Sequence, residues 1–225
     1  PFNYANGTPV KNWYSGYRGI NSIRDAIRES LHIIAVKTET VITPQLGYDY
    51  LLNFGFTTLT DGVWITNSKG EEDFFTDVNQ TLALGGLTNG VTPYELTAAY
   101  ATIANMGNYI EPKLYTRVTN TDGDVLLDNT NPASKQVIKE TTAYLLTDAM
   151  VDVVTAAGGT GTACNFNRNM AIAGKTGTST DYWDVWFAGF TPYYTCAVWA
   201  GYDNNVSMSR SKGNREDHVA RDLWR

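Results

Sequence analysis

The sequence predicts an α+β domain, with helices dominating the first two-thirds and an antiparallel sheet closing the last third. Three observations carry this. Apolar residues recur at helical spacing through 21–38, 43–54, 92–107 and 140–157. After residue 170 the period shortens, and 170–178, 185–191 and 194–202 are short apolar or alternating runs joined by tight turns, the pattern of a meander. Strands and helices do not alternate regularly, which argues against a parallel βαβ sheet.

The elements follow in order. In 21–38 (NSIRDAIRESLHIIAVKT), Ile23, Ala26, Ile27, Leu31 and Ile34 share one face, and Asn21 offers an N-cap. The stretch 43–54 (TPQLGYDYLLNF) carries Pro44 early and Gly55 as its stop. Residues 57–80 are polar and irregular and read as one long loop. Thr92, Pro93 and Glu95 form a capping box at the head of the next helix, which Gly107 ends. Residues 114–120 and 125–128 flank Thr121-Asp122-Gly123-Asp124 as a hairpin, and 140–157 is a helix closed by Gly158 and Gly159. No repeat or linker divides the 225 residues, so 1–225 is treated as one domain, and both ends read as the interior of something longer.

Composition removes several function classes. The net charge is -6 and no Lys/Arg cluster stands out, so nucleic acid is not an expected partner. The two histidines, His32 and His218, and the two cysteines, Cys164 and Cys196, fall in no metal spacing, and neither a metal nor a cofactor is expected. The cysteines read as buried free thiols. No apolar run is long enough to cross a bilayer, so no membrane contact is expected from this chain itself.

The stretch AIAGKTGTST (171–180) places a lysine inside a strand-like run of small residues. A phosphate-binding loop would need glycine five positions before Gly174, where Asn169 stands, and a helix afterwards, where a strand follows. The bland reading of Lys175 is a solvated charge guarding an edge strand. The functional reading is a serine acyl-transferase, in which Lys-Thr-Gly on a strand is one of three motifs. Gly177 lets a substrate lie against the backbone, the Thr178 N–H points at a developing oxyanion, and Lys175, Thr176 and Thr178 supply a cation and two hydroxyls for a carboxylate.

The surroundings favour the second reading. PFNY and GTPVKNW at the start, LALGGLTNGVTPYELTAAYATIANMGNYIEP in the middle, ETTAYLLTDAM, AGKTGTS and WFAGFTP…AVWAGYDN stand in one order over nearly the whole chain. Together they resemble the transpeptidase domain of penicillin-binding proteins, in particular the bifunctional class A type of Gram-positive bacteria. The resemblance implies the β-lactamase/penicillin-binding-protein fold, with an antiparallel sheet and a helical lobe. It implies a peptidoglycan D-alanyl-D-alanine transpeptidase whose partners are stem peptides ending in D-Ala-D-Ala and β-lactam antibiotics.

Two departures qualify it. The family's Ser-x-Asn motif falls on Ser30-Leu31-His32, so Ser30 takes the proton-relay role, while His32 replaces an amide with an imidazole of different shape. The family's Ser-x-x-Lys, which carries the nucleophile, belongs upstream of Ser30. The one Ser-x-x-Lys present, Ser209-Arg210-Ser211-Lys212, lies in a polar run and reads as coincidence. The expectation is therefore a partial transpeptidase domain, N-terminally truncated and inactive by itself. The nucleophile, a membrane anchor and a glycosyltransferase domain would lie in the missing N-terminal part, and the protein on the outer face of the cytoplasmic membrane. The alternatives are a catalytically inactive relative that binds peptidoglycan or a partner, and a β-lactamase, for which no deacylating Glu motif stands out.

In space, 175–178 should form an edge strand facing Ser30 and His32 across a cleft. Residues 62–80 and 179–184 should rim it. Trp183 and Trp186 are expected to serve the core more than the substrate, and Asp181 and Asp184 to serve turns.

Overall fold

The computed structural model describes residues 2–167 and 169–225. Six helices accompany eleven short strands: α1 (Ile23–Glu29), α2 (His32–Ile42), α3 (Pro44–Asn53), β1 (Val63–Thr66), β2 (Glu72–Phe75), α4 (Pro93–Ala104), β3 (Asn108–Ile110), β4 (Arg117–Thr119), β5 (Val125–Asp128), β6 (Ser134–Gln136), α5 (Glu140–Thr155), β7 (Ala173–Thr178), β8 (Asp184–Phe190), β9 (Thr195–Gly201), β10 (Arg210–Ser211), β11 (Asn214–Arg215) and α6 (Val219–Trp224).

The organising unit is an antiparallel sheet of order β7-β8-β9, with β7 at its margin. β8 reads DVWFAGF, nearly continuously apolar, because it is central and covered on both faces. Phe190 packs with Ile103 of α4, Met150 of α5 and Ala173. Val185, an odd number of residues away and so on the opposite face, packs with Met208 and Ala220 of α6. Phe187, fully buried, joins Val154, Cys164 and Ile172, with the Trp224 ring against it. Gly174 and Gly189 pair in register between these layers. A Cβ on Gly174 would stand 2.6 Å from the Phe187 ring, so the close packing there requires glycine.

Several expected elements form as read. The box at the head of α4 is complete: the Thr92 hydroxyl accepts from the Glu95 N–H, and the Glu95 carboxylate accepts from the Thr92 N–H. Glu95 also accepts from the Thr57 N–H and hydroxyl, which ties the chain after α3 to α4. Burial alone would raise the Glu95 pKa, but the hydrogen bonds from Thr57 and Thr92 outweigh it and hold the carboxyl below its usual range. The hairpin β4–β5 turns on Asn120, whose side chain accepts from the N–H groups of Asp122 and Asp124. α5 runs from Glu140 to Thr155 as predicted.

Three expectations need correction. The single helix over 21–38 is two, α1 and α2, and Ser22 rather than Asn21 caps the first through a box with Asp25. The break falls at Ser30, which adopts the left-handed conformation (φ 56°, ψ 55°), while Leu31 buries its side chain to 2% exposure and draws the chain inward. The region read as one loop holds the β1–β2 hairpin, whose VWIT run of β-branched and aromatic residues before Asn67-Ser68-Lys69-Gly70 is itself a strand-and-turn signal. Finally, both cysteines are free but only Cys164 is buried; Cys196 is exposed.

Candidate active site

Ser30 and Lys175 meet. Lys175 projects from β7, and its Nζ donates to the Ser30 Oγ at 2.9 Å and to the Thr176 carbonyl at 3.0 Å. The left-handed turn at Ser30 places this contact. A continuous helix would carry the hydroxyl onward along the α1 axis, whereas the break presents it between two helix ends. Lys175 is half-buried, and loss of water around the ammonium lowers its pKa from 10.5 to about 8. The group therefore remains mostly protonated at neutral pH yet exchanges its proton far more readily than a solvated lysine.

His32 is the first residue of α2. Burial lowers its pKa, the nearby Lys11 backbone opposes the drop, and the Lys175 charge adds to it. The imidazole is thus neutral at neutral pH.

Thr176 faces the other side of β7 from Lys175, as strand alternation requires. Its hydroxyl lies 2.7 Å from that of Thr160, whose N–H donates to the Arg28 carbonyl at 3.2 Å. Thr160 thereby ties the end of α1 to the site strand, a role the Gly-rich stretch GGTGTAC did not disclose in the sequence. Gly177 pairs with Trp186, and Thr178, at the exposed end of β7, has no hydroxyl partner among the described residues.

On the helical side, residues 11–14 lie against the break. The Trp13 Nε1 donates to the Glu29 carbonyl at 2.9 Å, and the Asn12 Oδ1 accepts from the Ile33 N–H at 3.1 Å. Arg24 of α1 holds α5 through Asp148 and Asp152.

The expected rims divide. Residues 179–184 continue directly from Thr178 through a tight turn in which Asp181 has φ 58° and Tyr182 φ 59°. Asp184 accepts from the Trp199 indole at 2.9 Å, a structural role as expected, and the Trp186 ring packs 6.4 Å from that of Trp199. The β1–β2 hairpin makes no hydrogen bond to α1 or β7 among the described residues. Ser209 pairs its hydroxyl with Ser211 in the small β10–β11 hairpin and makes no contact with Lys212 among the described hydrogen bonds. A hollow of about 400 Å³, lined by Ala104, Val151, Ala173 and Tyr194, lies at the Ala173 end of β7 and includes neither Ser30 nor Lys175 in its lining. Among the described residues no three acidic, His or Cys groups converge as metal ligands.

A marginal Lys-Thr-Gly strand whose lysine meets a serine from a helical lobe is the arrangement of the fold shared by β-lactamases and penicillin-binding transpeptidase domains. Residues 1–224 match the family model described as the penicillin binding protein transpeptidase domain. The chain belongs to that family. It is 35% identical over 208 residues to penicillin-binding protein 1A of Clostridium acetobutylicum, covering 91% of this chain and 24% of that protein. It is 30% identical over 237 residues to penicillin-binding protein 1A/1B of Bacillus subtilis, covering 99% of this chain and 24% of the relative. The chain thus spans 24% of the length of these curated relatives. Among solved structures, PonA1 of Mycobacterium tuberculosis in complex with penicillin V superposes with a TM-score of 0.80 at 22% identity, over 98% of this chain and 59% of that one, a likeness of fold.

Proposed function

We propose that the protein is a peptidoglycan D-alanyl-D-alanine transpeptidase, and that these residues supply its relay serine, carboxylate anchor and oxyanion donor. The observation that carries the reading is the 2.9 Å contact between Lys175 Nζ and Ser30 Oγ, in a chain of the transpeptidase family. The nucleophilic serine comes from a segment outside these 225 residues, and the chain alone is inactive. That serine's oxygen bonds to the penultimate D-Ala carbonyl carbon and the amide C–N bond breaks. The proton it releases passes through Ser30 to the departing D-Ala amine. An amine of a neighbouring stem then attacks the ester, loses its proton and restores the serine. Lys175 holds the substrate's terminal carboxylate and, with a pKa of about 8, exchanges protons with Ser30 near neutral pH. The Thr178 N–H receives the oxyanion and Gly177 admits the peptide to the strand margin.

The same site accepts β-lactams, which resemble the D-Ala-D-Ala terminus. The PonA1 complex with penicillin V and an imipenem acyl-enzyme of penicillin-binding protein A from M. tuberculosis, both of this fold, support that assignment. No described helix is long and apolar enough to cross a membrane, and the reading places these residues on the outer face of the cytoplasmic membrane, held by an anchor elsewhere in the protein's chain. His32 favours one alternative, a relative that binds peptidoglycan without turning it over, because an imidazole stands where the family has an amide. Fluorescent penicillin applied to the full-length protein, with mapping of the acylated residue, separates the two. The expected label sits on a serine that begins an upstream Ser-x-x-Lys. No label, or a label on Ser30 or Ser209, overturns the transpeptidase reading.

A further inference from the structure

Ser30 occupies a backbone conformation that an ordinary residue disfavours, and something must hold it there. On the α1 side the Ser30 and Leu31 N–H groups both donate to the Ala26 carbonyl, but the head of α2 has no such local support. Leu31 stands at the N-cap of α2 and has no side-chain acceptor for the first N–H groups of that helix. The acceptor comes from elsewhere in the chain. Asn12 places its Oδ1 3.1 Å from the N–H of Ile33, the second residue of α2, and so caps that helix from outside. Its Nδ2 donates to the Tyr14 hydroxyl at 2.9 Å, which fixes the amide's orientation. One residue on, the Trp13 indole donates to the Glu29 carbonyl at the end of α1. Asn12 and Trp13 therefore grip positions 33 and 29, on both sides of Ser30. Arg18 backs the grip, stacking 3.8 Å over the Tyr14 ring and ion-pairing with Glu29.

We infer that Asn12, with Trp13, is a positioning residue for the Ser30–Lys175 pair: it locks the α1–α2 break so that the Ser30 hydroxyl reaches the lysine. The inference deepens the transpeptidase reading and rests on it for its kinetic consequence. Asn12 touches neither substrate nor Lys175; it acts through the angle between two helix ends.

The test uses the full-length protein and its Asn12→Ala and Asn12→Asp variants. Asp retains the acceptor oxygen and adds charge that a helix N-terminus favours, so it should rescue what Ala loses. With fluorescent penicillin, Asn12→Ala should lower the first-order acylation rate about tenfold or more, because displacement of a catalytic group by about 1 Å has consequences of that size. The penicillin concentration at half-saturation should stay within about twofold, since the carboxylate anchor on β7 is untouched. Asn12→Asp should restore the rate to within about threefold. An Asn12→Ala rate within twofold of the parent, or equal losses in both variants, overturns the inference. A crystal structure of Asn12→Ala decides it independently of activity. A Lys175 Nζ–Ser30 Oγ separation widened beyond hydrogen-bond reach supports the lock, and an unchanged contact refutes it. A parent protein that penicillin never labels sinks the transpeptidase reading while leaving that structural comparison to judge the lock.

Discussion

Lys175 should weaken the fold it serves. Its pKa of about 8 in the folded protein, against 10.5 when solvated, means that folding disfavours its charged form. Every tenfold loss of proton affinity corresponds to about 1.4 kcal/mol, so the cost below pH 8 is about 3 kcal/mol as an upper bound, since the side chain is only half-buried. Below pH 8 both states are protonated and the full cost applies. Between 8 and 10.5 the unfolded state keeps the proton that the folded state has released, so this group's contribution to stability rises with pH; above 10.5 the cost is gone. Lys175→Met fills the same space without the charge. It forfeits hydrogen bonds to Ser30 and Thr176, each worth about 1 kcal/mol. Near pH ~7 the variant should therefore be more stable than the parent by at most about 1 kcal/mol, and near pH ~10 less stable by about 1 kcal/mol, so that the difference changes with pH in the stated direction. Urea unfolding of parent and variant at the two pH values measures this, with the titrations common to both proteins cancelling in the difference. Acylation by penicillin should be lost when the same substitution is made in the full-length protein. A variant that is destabilised equally at both pH values would refute the buried-cation account.

In the full-length protein Ser30→Gly removes the hydroxyl while suiting the left-handed backbone, so acylation should fall by about 10²-fold or more with no loss of melting temperature; a large fall in melting temperature would show that the hydroxyl serves the fold instead. His32→Asn restores the family's amide and should raise the acylation rate about threefold or more. It should also abolish any loss of activity as the pH falls through the lowered pKa of His32 and puts a second cation beside Lys175. Glu95→Ala leaves two N–H groups and two hydroxyls without their acceptor and should cost about 3 kcal/mol in chemical unfolding. The parent should lose that contribution in acid, because the lowered Glu95 pKa stabilises the fold above the carboxyl's ordinary value and the gain vanishes as pH falls through the folded one.

What the sequence disclosed was whatever is written in local spacing. The box at Thr92 and Glu95, the hairpin about Asn120 and the apolar run of β8 depend on neighbours within a few residues, and each formed as read. The family resemblance then brought Ser30 and Lys175 together, which no periodicity could do. The break at Ser30 is hidden because the apolar spacing of α1 continues into α2, and only the pull of buried Leu31 and the grip of Asn12 and Trp13 interrupt it. Asn12, Trp13 and Thr160 act through contacts with distant partners, and although GTPVKNW carries part of the family resemblance, no local pattern discloses what these residues touch. The pairing of β3 with β6 spans a hairpin of its own and is equally invisible in the sequence.

The two groups of the central contact lie 145 residues apart along the chain. Closing so large a loop is entropically slow, and it must come after the helices and the meander have each condensed. The paired serine and lysine should therefore form late in folding. Antibiotic capture would then report on maturation as well as chemistry: in a cell, only molecules that had finished folding would be poisoned.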